Sequence, residues 1–310
     1  MSGRTLVLTG GVGGAKLVLG LQQVVEPSSI TAIVNTGDDF RHLGLWVSPD
    51  IDTLLYTLSG QANAAQGWGR EGETWAFMEA LRRLGGEDWF ALGDGDLALH
   101  VLRSARLATG DTLTTITADF ASAWGIGARI LPMSDQPVST HLDTDEGDLA
   151  FQTYFVEKRC LPVVRRIDFQ GAAAARPGPD VISTILAEDV RAILIAPSNP
   201  YLSIDPILAV PGIRDALHSA RAPVVVVSPV VGGNAVKGPT AKLMRELGSA
   251  VSPEAVLAHY GDVVDAMLVD ERDAVLDLGV PYDVCDTLMH TLADRARVAR
   301  AALALADRLQ

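Results

Sequence analysis

Hydrophobic positions along the chain fall into three registers. Unbroken apolar runs occur at Thr5-Leu6-Val7-Leu8, Ile30 to Val34, Ala192 to Ala196, Val224 to Val227 and Ala266 to Val269. Runs without polar alternation are buried on both faces, as in a parallel sheet covered by helices on each side. Helical spacing governs Leu17, Leu19, Leu21 and Val24-Val25, then a helix starting near Asp50 with Leu54, Leu55, Tyr56 and Leu58 on one face. Further helices are predicted at Trp75 to Leu84, Asp94 to Ala108, Thr112 to Trp124, from Pro253 onward, and from Asp283 to Leu309. Alternating stretches at Ala128 to Met133, Val138 to Thr144, Leu149 to Glu157 and Val163 to Phe169 predict a β-meander. The pattern therefore predicts one α/β domain over 1–310, with a Rossmann-like, doubly wound, mainly parallel sheet built from about 1–60 and 180–310. A helical and β-meander insertion over about 61–179 forms a smaller subdomain.

Composition narrows the function. At 310 residues, with 48% hydrophobic content and a mean hydropathy of +0.22, the chain can bury a large core. No apolar run approaches the roughly 18 residues of a membrane helix. Met1 to Arg4 lead directly into the first apolar run, so a cytoplasmic protein without a signal region is expected. Cys160 and Cys285 stand alone and are assigned no chemistry. A formal charge of −13 argues against nucleic-acid partners. Acidity beside a phosphate-binding loop would repel the phosphate unless a divalent cation stood between them, which points to magnesium.

The candidate chemistry begins at Gly10-Gly11-Val12-Gly13-Gly14-Ala15-Lys16, between the first strand and first helix. Such a junction presents N–H groups to an oxyanion, with Gly11, Gly13, Gly14 and Lys16 as candidate contacts. Ala15 and Leu17 break the P-loop pattern and Lys16 breaks the dinucleotide fingerprint, and a tight turn without a ligand also accounts for the glycines. At the end of the second strand, Asn35-Thr36-Gly37-Asp38-Asp39 is followed by Pro49-Asp50-Ile51-Asp52-Thr53. Four carboxylates within fifteen residues suit a hard cation, while Asp50 and Asp52 can equally be first-turn helix acids. Trp68 and Trp75 are either a buried structural pair or a stacking wall for a planar ring. Asp94 and Asp96 read as first-turn acids, and His100 and Arg103 share a helix face with either a solvated or a substrate-facing role. The basic group Lys158, Arg159, Arg165 and Arg166 reads as an exposed face. Ser198, Asn199 and the glycine-rich loop carrying Lys237 follow two core strands and can reach the same crevice as Gly10 to Gly14.

Read in order, the glycine start, Asn35 to Asp39, Pro49 to Thr53, Gly67-Trp68-Gly69 with Glu73-Thr74-Trp75, Leu92-Gly93-Asp94, Pro197 to Pro200 and Lys237-Gly238-Pro239 resemble the 2-phospho-L-lactate transferase family of coenzyme F-420 biosynthesis. The resemblance runs from about Leu6 to Gly248. It implies that the ribityl hydroxyl of the deazaflavin Fo attacks the phosphorus of a GDP-linked phospho-three-carbon acid and that GMP leaves. It implies magnesium on Asp38 and Asp52, with Asp39 and Asp50 as supporting acids or the base, and no covalent nucleophile. It also implies nucleotide contacts at Gly11 to Gly14, Ser198, Asn199 and Lys237, and a deazaflavin wall at Trp68 and Trp75. A non-catalytic nucleotide-sugar-binding regulator of the same superfamily is the alternative, and an NAD-dependent oxidoreductase a weaker one. Leu288 and Leu292 leave a homodimer open.

Overall fold

The fold is a computed structural model, described for residues 3–63, 66–236, 238–273 and 277–310. Its centre is a seven-stranded parallel sheet. The strands are β1 (Arg4–Thr9), β2 (Ile30–Val34), β3 (Arg129–Pro132), β4 (Val190–Ile195), β5 (Val224–Val227), β6 (Ala266–Asp270) and β7 (Tyr282–Cys285). In space they run β7-β6-β5-β4-β1-β2-β3, the Rossmann order extended by one strand. Every neighbouring pair is parallel, with Val7 opposite Ala32 on one side and Leu194 on the other.

The unbroken apolar runs serve two cores at once. Leu6, Leu8, Ile33, Ile193, Ile195, Val224 and Val226 face one layer, while Val7, Ala32, Val34, Leu194, Val225 and Val227 face the other. On the second face lie α1 (Gly11–Leu21), α2 (Pro49–Leu58) and the C-terminal helix Leu292–Asp307. α1 and the C-terminal helix touch backbone to backbone, for a Cβ on Gly20 would overlap the Arg295 carbonyl. The insertion adds α3 (Ala76–Arg83), α4 (Asp94–Ala108) and α5 (Leu113–Ala123). It also adds an antiparallel sheet in the order Gly147–Ala150, Ser139–Thr144, Val164–Gln170.

Three expectations need correction. Arg129–Pro132 is not part of the meander; it crosses the expected boundary at 61–179 and becomes the β3 edge of the main sheet. As an edge strand it exposes Arg129 and ends in Pro132, features that mimic a one-sided antiparallel strand. Leu149 to Glu157 stays extended only to Ala150, then closes into a π-helical turn at Thr153–Glu157. The final helix begins at Leu292 rather than Asp283. Thr291 and Asp294 form a reciprocal capping box there, and Tyr282–Cys285 pairs with β6 instead.

Candidate active site

β1 and β4 are adjacent in the sheet, and the chain winds away from them in opposite directions, which opens a crevice at their carboxyl ends. Gly10 follows β1 and Pro197-Ser198-Asn199 follows β4. Ser198 stitches the two: its Oγ donates to the Gly10 carbonyl at 2.7 Å and accepts the Gly10 N–H at 3.2 Å. The glycines are first a packing requirement. A Cβ on Gly13 would sit 2.7 Å from the Pro197 carbonyl, one on Gly14 would overlap Thr9 Oγ1, and Gly11 has φ +65°. Gly14 is buried in this contact, behind the crevice wall. The Gly11 N–H is already engaged, donating to Asp50 Oδ1 at 2.6 Å. The first-turn N–H groups of Val12 and Gly13 have no acceptor within the helix, and both residues line the crevice.

The four sequence-predicted acids are all buried but do not act as one cluster. Asp50 caps α1 rather than its own helix; its Oδ2 accepts from Asn35 Nδ2 at 2.9 Å. Asn35 also reaches Asp38 Oδ1 at 3.4 Å, so one amide serves both acids. Asp38 and Asp50 face the crevice. Asp39 points the other way, towards a separate cavity of about 140 Å³ beside Arg41 and Trp46. Ser48 Oγ and Trp46 Nε1 hold its Oδ2 at 2.7 and 3.1 Å, and its Oδ1 is buried without a hydrogen-bond partner. Burial pushes Asp39 up to about 8 and Asp50 up to about 6. Asp38 stands well above the usual carboxylate range, through burial first and then the charges of Asp50 and Asp39.

Asp52 meets a different partner. Arg103, fully buried on α4, donates to both its oxygens, one contact measuring 3.1 Å from Nη1 to Oδ2. His100, one turn earlier, places Nδ1 3.7 Å from Asp52 and Nε2 3.1 Å from Asp96. Asp96 also accepts the Tyr56 hydroxyl. Burial would raise Asp96, but the close approach of His100 and the Tyr56 hydroxyl hold it below the usual range. Asp96 is a first-turn acid of α4, as expected, and also part of the crevice wall. Asp94 does cap, though it caps α3: it accepts from Ala76 and Phe77 N–H at 3.0 and 2.9 Å.

These walls enclose a cavity of about 640 Å³. Of the predicted residues, Gly11, Gly13, Lys16, Asp38, Asp50, Asp52, Trp68, Ser198 and Asn199 line it, whereas Gly14, Asp39 and Trp75 do not. Neither tryptophan is buried: Trp75 at the start of α3 is 40% exposed, and Trp68, which lines the cavity, is 51% exposed. Lys237 lies outside the described residues. The sequence reading missed Tyr56, Asp96, Phe90, Phe151, Phe155, Ser228 and Thr287 as cavity walls. His100 and Arg103 carried a signal in their spacing, but not the information that they were buried. Among the described residues, no group of three or more His, Cys, Asp or Glu is placed to hold a metal ion by itself.

A parallel doubly wound sheet with a glycine-lined helix start and buried acids at its switch point defines a Rossmann-like ligand-binding protein. The particular family follows from comparison: the 2-phospho-L-lactate transferase CofD family model matches residues 5–298, and the chain belongs to that family. A Phosphoenolpyruvate transferase of Kitasatospora aureofaciens is 43% identical, covering 99% of each chain. A 2-phospho-L-lactate transferase of Methanosarcina mazei is 40% identical over 92% of this chain and 94% of its own. Among solved structures, a UPF0052 family protein from Bacillus halodurans shares the fold, with a TM-score of 0.65 at 20% identity over 97% of this chain and 99% of that one.

Proposed function

We propose that this enzyme transfers a phospho-three-carbon-acid group from a GDP-linked donor to the ribityl hydroxyl of deazaflavin Fo, releasing GMP, in coenzyme F-420 biosynthesis. The observation that carries the reading is the cavity itself, which joins a helix-start phosphate cradle, a wall of buried acids and an aromatic side at Trp68 and Phe90. The first-turn N–H groups of Val12 and Gly13 and the Ser198-Asn199 segment would take the diphosphate. Trp68, with Phe90, Phe151 and Phe155, would take the planar ring. Asp50, brought near neutrality by burial and facing the cavity, would accept the proton of the attacking hydroxyl. The hydroxyl oxygen bonds to phosphorus as the bond to the GMP oxygen breaks, with no covalent enzyme intermediate.

Magnesium fits the acids present. Asp38 is a buried carboxylate on the cavity wall, raised by the charges of Asp50 and Asp39 and reached by the Asn35 amide. Asp38 and Asp52 would hold the ion, and two protein carboxylates completed by substrate phosphates are the usual way magnesium binds. When bound it would neutralise charge on the diphosphate oxygens. The relative at 43% identity favours phosphoenolpyruvate as the donor's acid. The deciding experiment mixes the protein with Fo, magnesium and either the enolpyruvyl or the lactyl guanosine diphosphate, and follows GMP and the phosphodiester by mass spectrometry. Turnover that is abolished in Asp38→Asn is expected. No product with either donor would reject the reading.

A further inference from the structure

Arg103 is 0% exposed, and its guanidinium grips a carboxylate on the cavity wall with both prongs. Phe120 covers it, with the ring centre 5.9 Å away. Its Nε is buried without a hydrogen-bond acceptor. As a purely stabilising device this is inefficient. A buried ion pair is often matched or bettered by apolar residues of similar volume, and an unsatisfied donor adds to the penalty. The neighbouring acids are treated otherwise: Asp38 and Asp50 face the same cavity but are met by the Asn35 amide and the Gly11 N–H. Both hydrogen bonds of the fork go to Asp52, while its charge also reaches Asp39, and His100 on the same helix lies 3.7 Å from Asp52.

We propose that Arg103 is a positioning residue, fixing the Asp52 carboxylate in one orientation on the cavity wall so that it meets the reacting phosphate and its cation pre-aligned. The proposal rests on the transferase reading above. A guanidinium matches a carboxylate through two parallel hydrogen bonds, whereas an ammonium is a point charge. Arg103→Lys therefore keeps the charge and loses the alignment.

The test compares wild type with Arg103→Lys, Arg103→Gln, Asp52→Asn and the double variant Arg103→Lys/Asp52→Asn. Arg103→Lys is expected to fold and to lose about tenfold or more in kcat while its donor KM stays within about twofold, because misalignment acts on the reacting state. Asp52→Asn should cost much less in the Arg103→Lys background than in wild type, since both changes remove the same function. Calorimetric titration with magnesium alone should show several-fold weaker binding by Arg103→Lys. That last measurement needs no turnover, so a chain inactive with every donor but still showing the weakening would reject the reaction and keep the positioning role. Wild-type kcat and magnesium affinity in a stable Arg103→Lys would overturn the proposal, as would losses that multiply. Failure of both Arg103 variants to fold would assign the residue to stability alone and overturn it as well.

Discussion

Raising the pH should weaken this fold, and Asp39 is the residue on which the effect can be measured. An Asp in an unfolded chain titrates near 4, whereas burial lifts Asp39 up to about 8 in the folded state. Below about pH 4 the acid is neutral in both states and contributes nothing. Between these values the folded state holds a proton that the unfolded state has released, so stability falls as pH rises and levels off above about 8. Four units correspond to roughly 5 kcal/mol, an upper bound because Asp38, whose carboxyl Asp39 helps to raise, titrates with it. Urea unfolding in chelator at several pH values from about 5 to 8 measures the slope. Asp39→Asn, which keeps an oxygen for Ser48 and Trp46 and removes the charge, should flatten it. A metal-free wild type whose stability rises over this range, or an Asp39→Asn variant with an unchanged slope, would refute the reasoning.

Other changes separate packing from binding. Gly14→Ala should destabilise by about 1–3 kcal/mol by thermal melt, because its Cβ meets Thr9 Oγ1 and comes within 2.8 Å of Ser198 Oγ, and Thr9→Ala in the same chain should recover part of the loss. Trp68→Ala should raise the KM for the proposed deazaflavin acceptor about tenfold with donor KM unchanged, while Trp75→Ala, outside the cavity, should leave both constants near wild type.

The parallel core was legible because its strands carry unbroken apolar runs, and only a sheet covered on both faces calls for that pattern. The two edge strands were not. Arg129–Pro132 and Tyr282–Cys285 each have a free side, so their composition resembles a meander strand in one case and a helix start in the other. Asp38, Asp50 and Asp52 were expected at the crevice and do line it, although Asp50 and Asp52 also sit in the first turn of α2, as their alternative reading had it. Asp39 adjoins Asp38 in sequence yet serves a different cavity, since neighbours in a tight turn point in different directions. Asp94 shows the same limit: its neighbours in the chain suggest a cap, but only tertiary contacts reveal that the capped helix is α3. Arg103 was hidden for a related reason. Helical spacing places it beside His100, but its partner Asp52 lies 51 positions away.

Strand order also sets when the crevice can exist during synthesis. β1 is made first but lies between β2 and β4, and the residues of β4 begin at Val190. Until the ribosome has delivered them, β1 offers an open apolar edge with Gly10 and its helix unsupported by Ser198, a state suited to a chaperone or to aggregation. The cavity wall at Thr287 to Met289 arrives later still. Nascent chains shorter than about Met289 therefore carry the glycine start without a complete cavity wall.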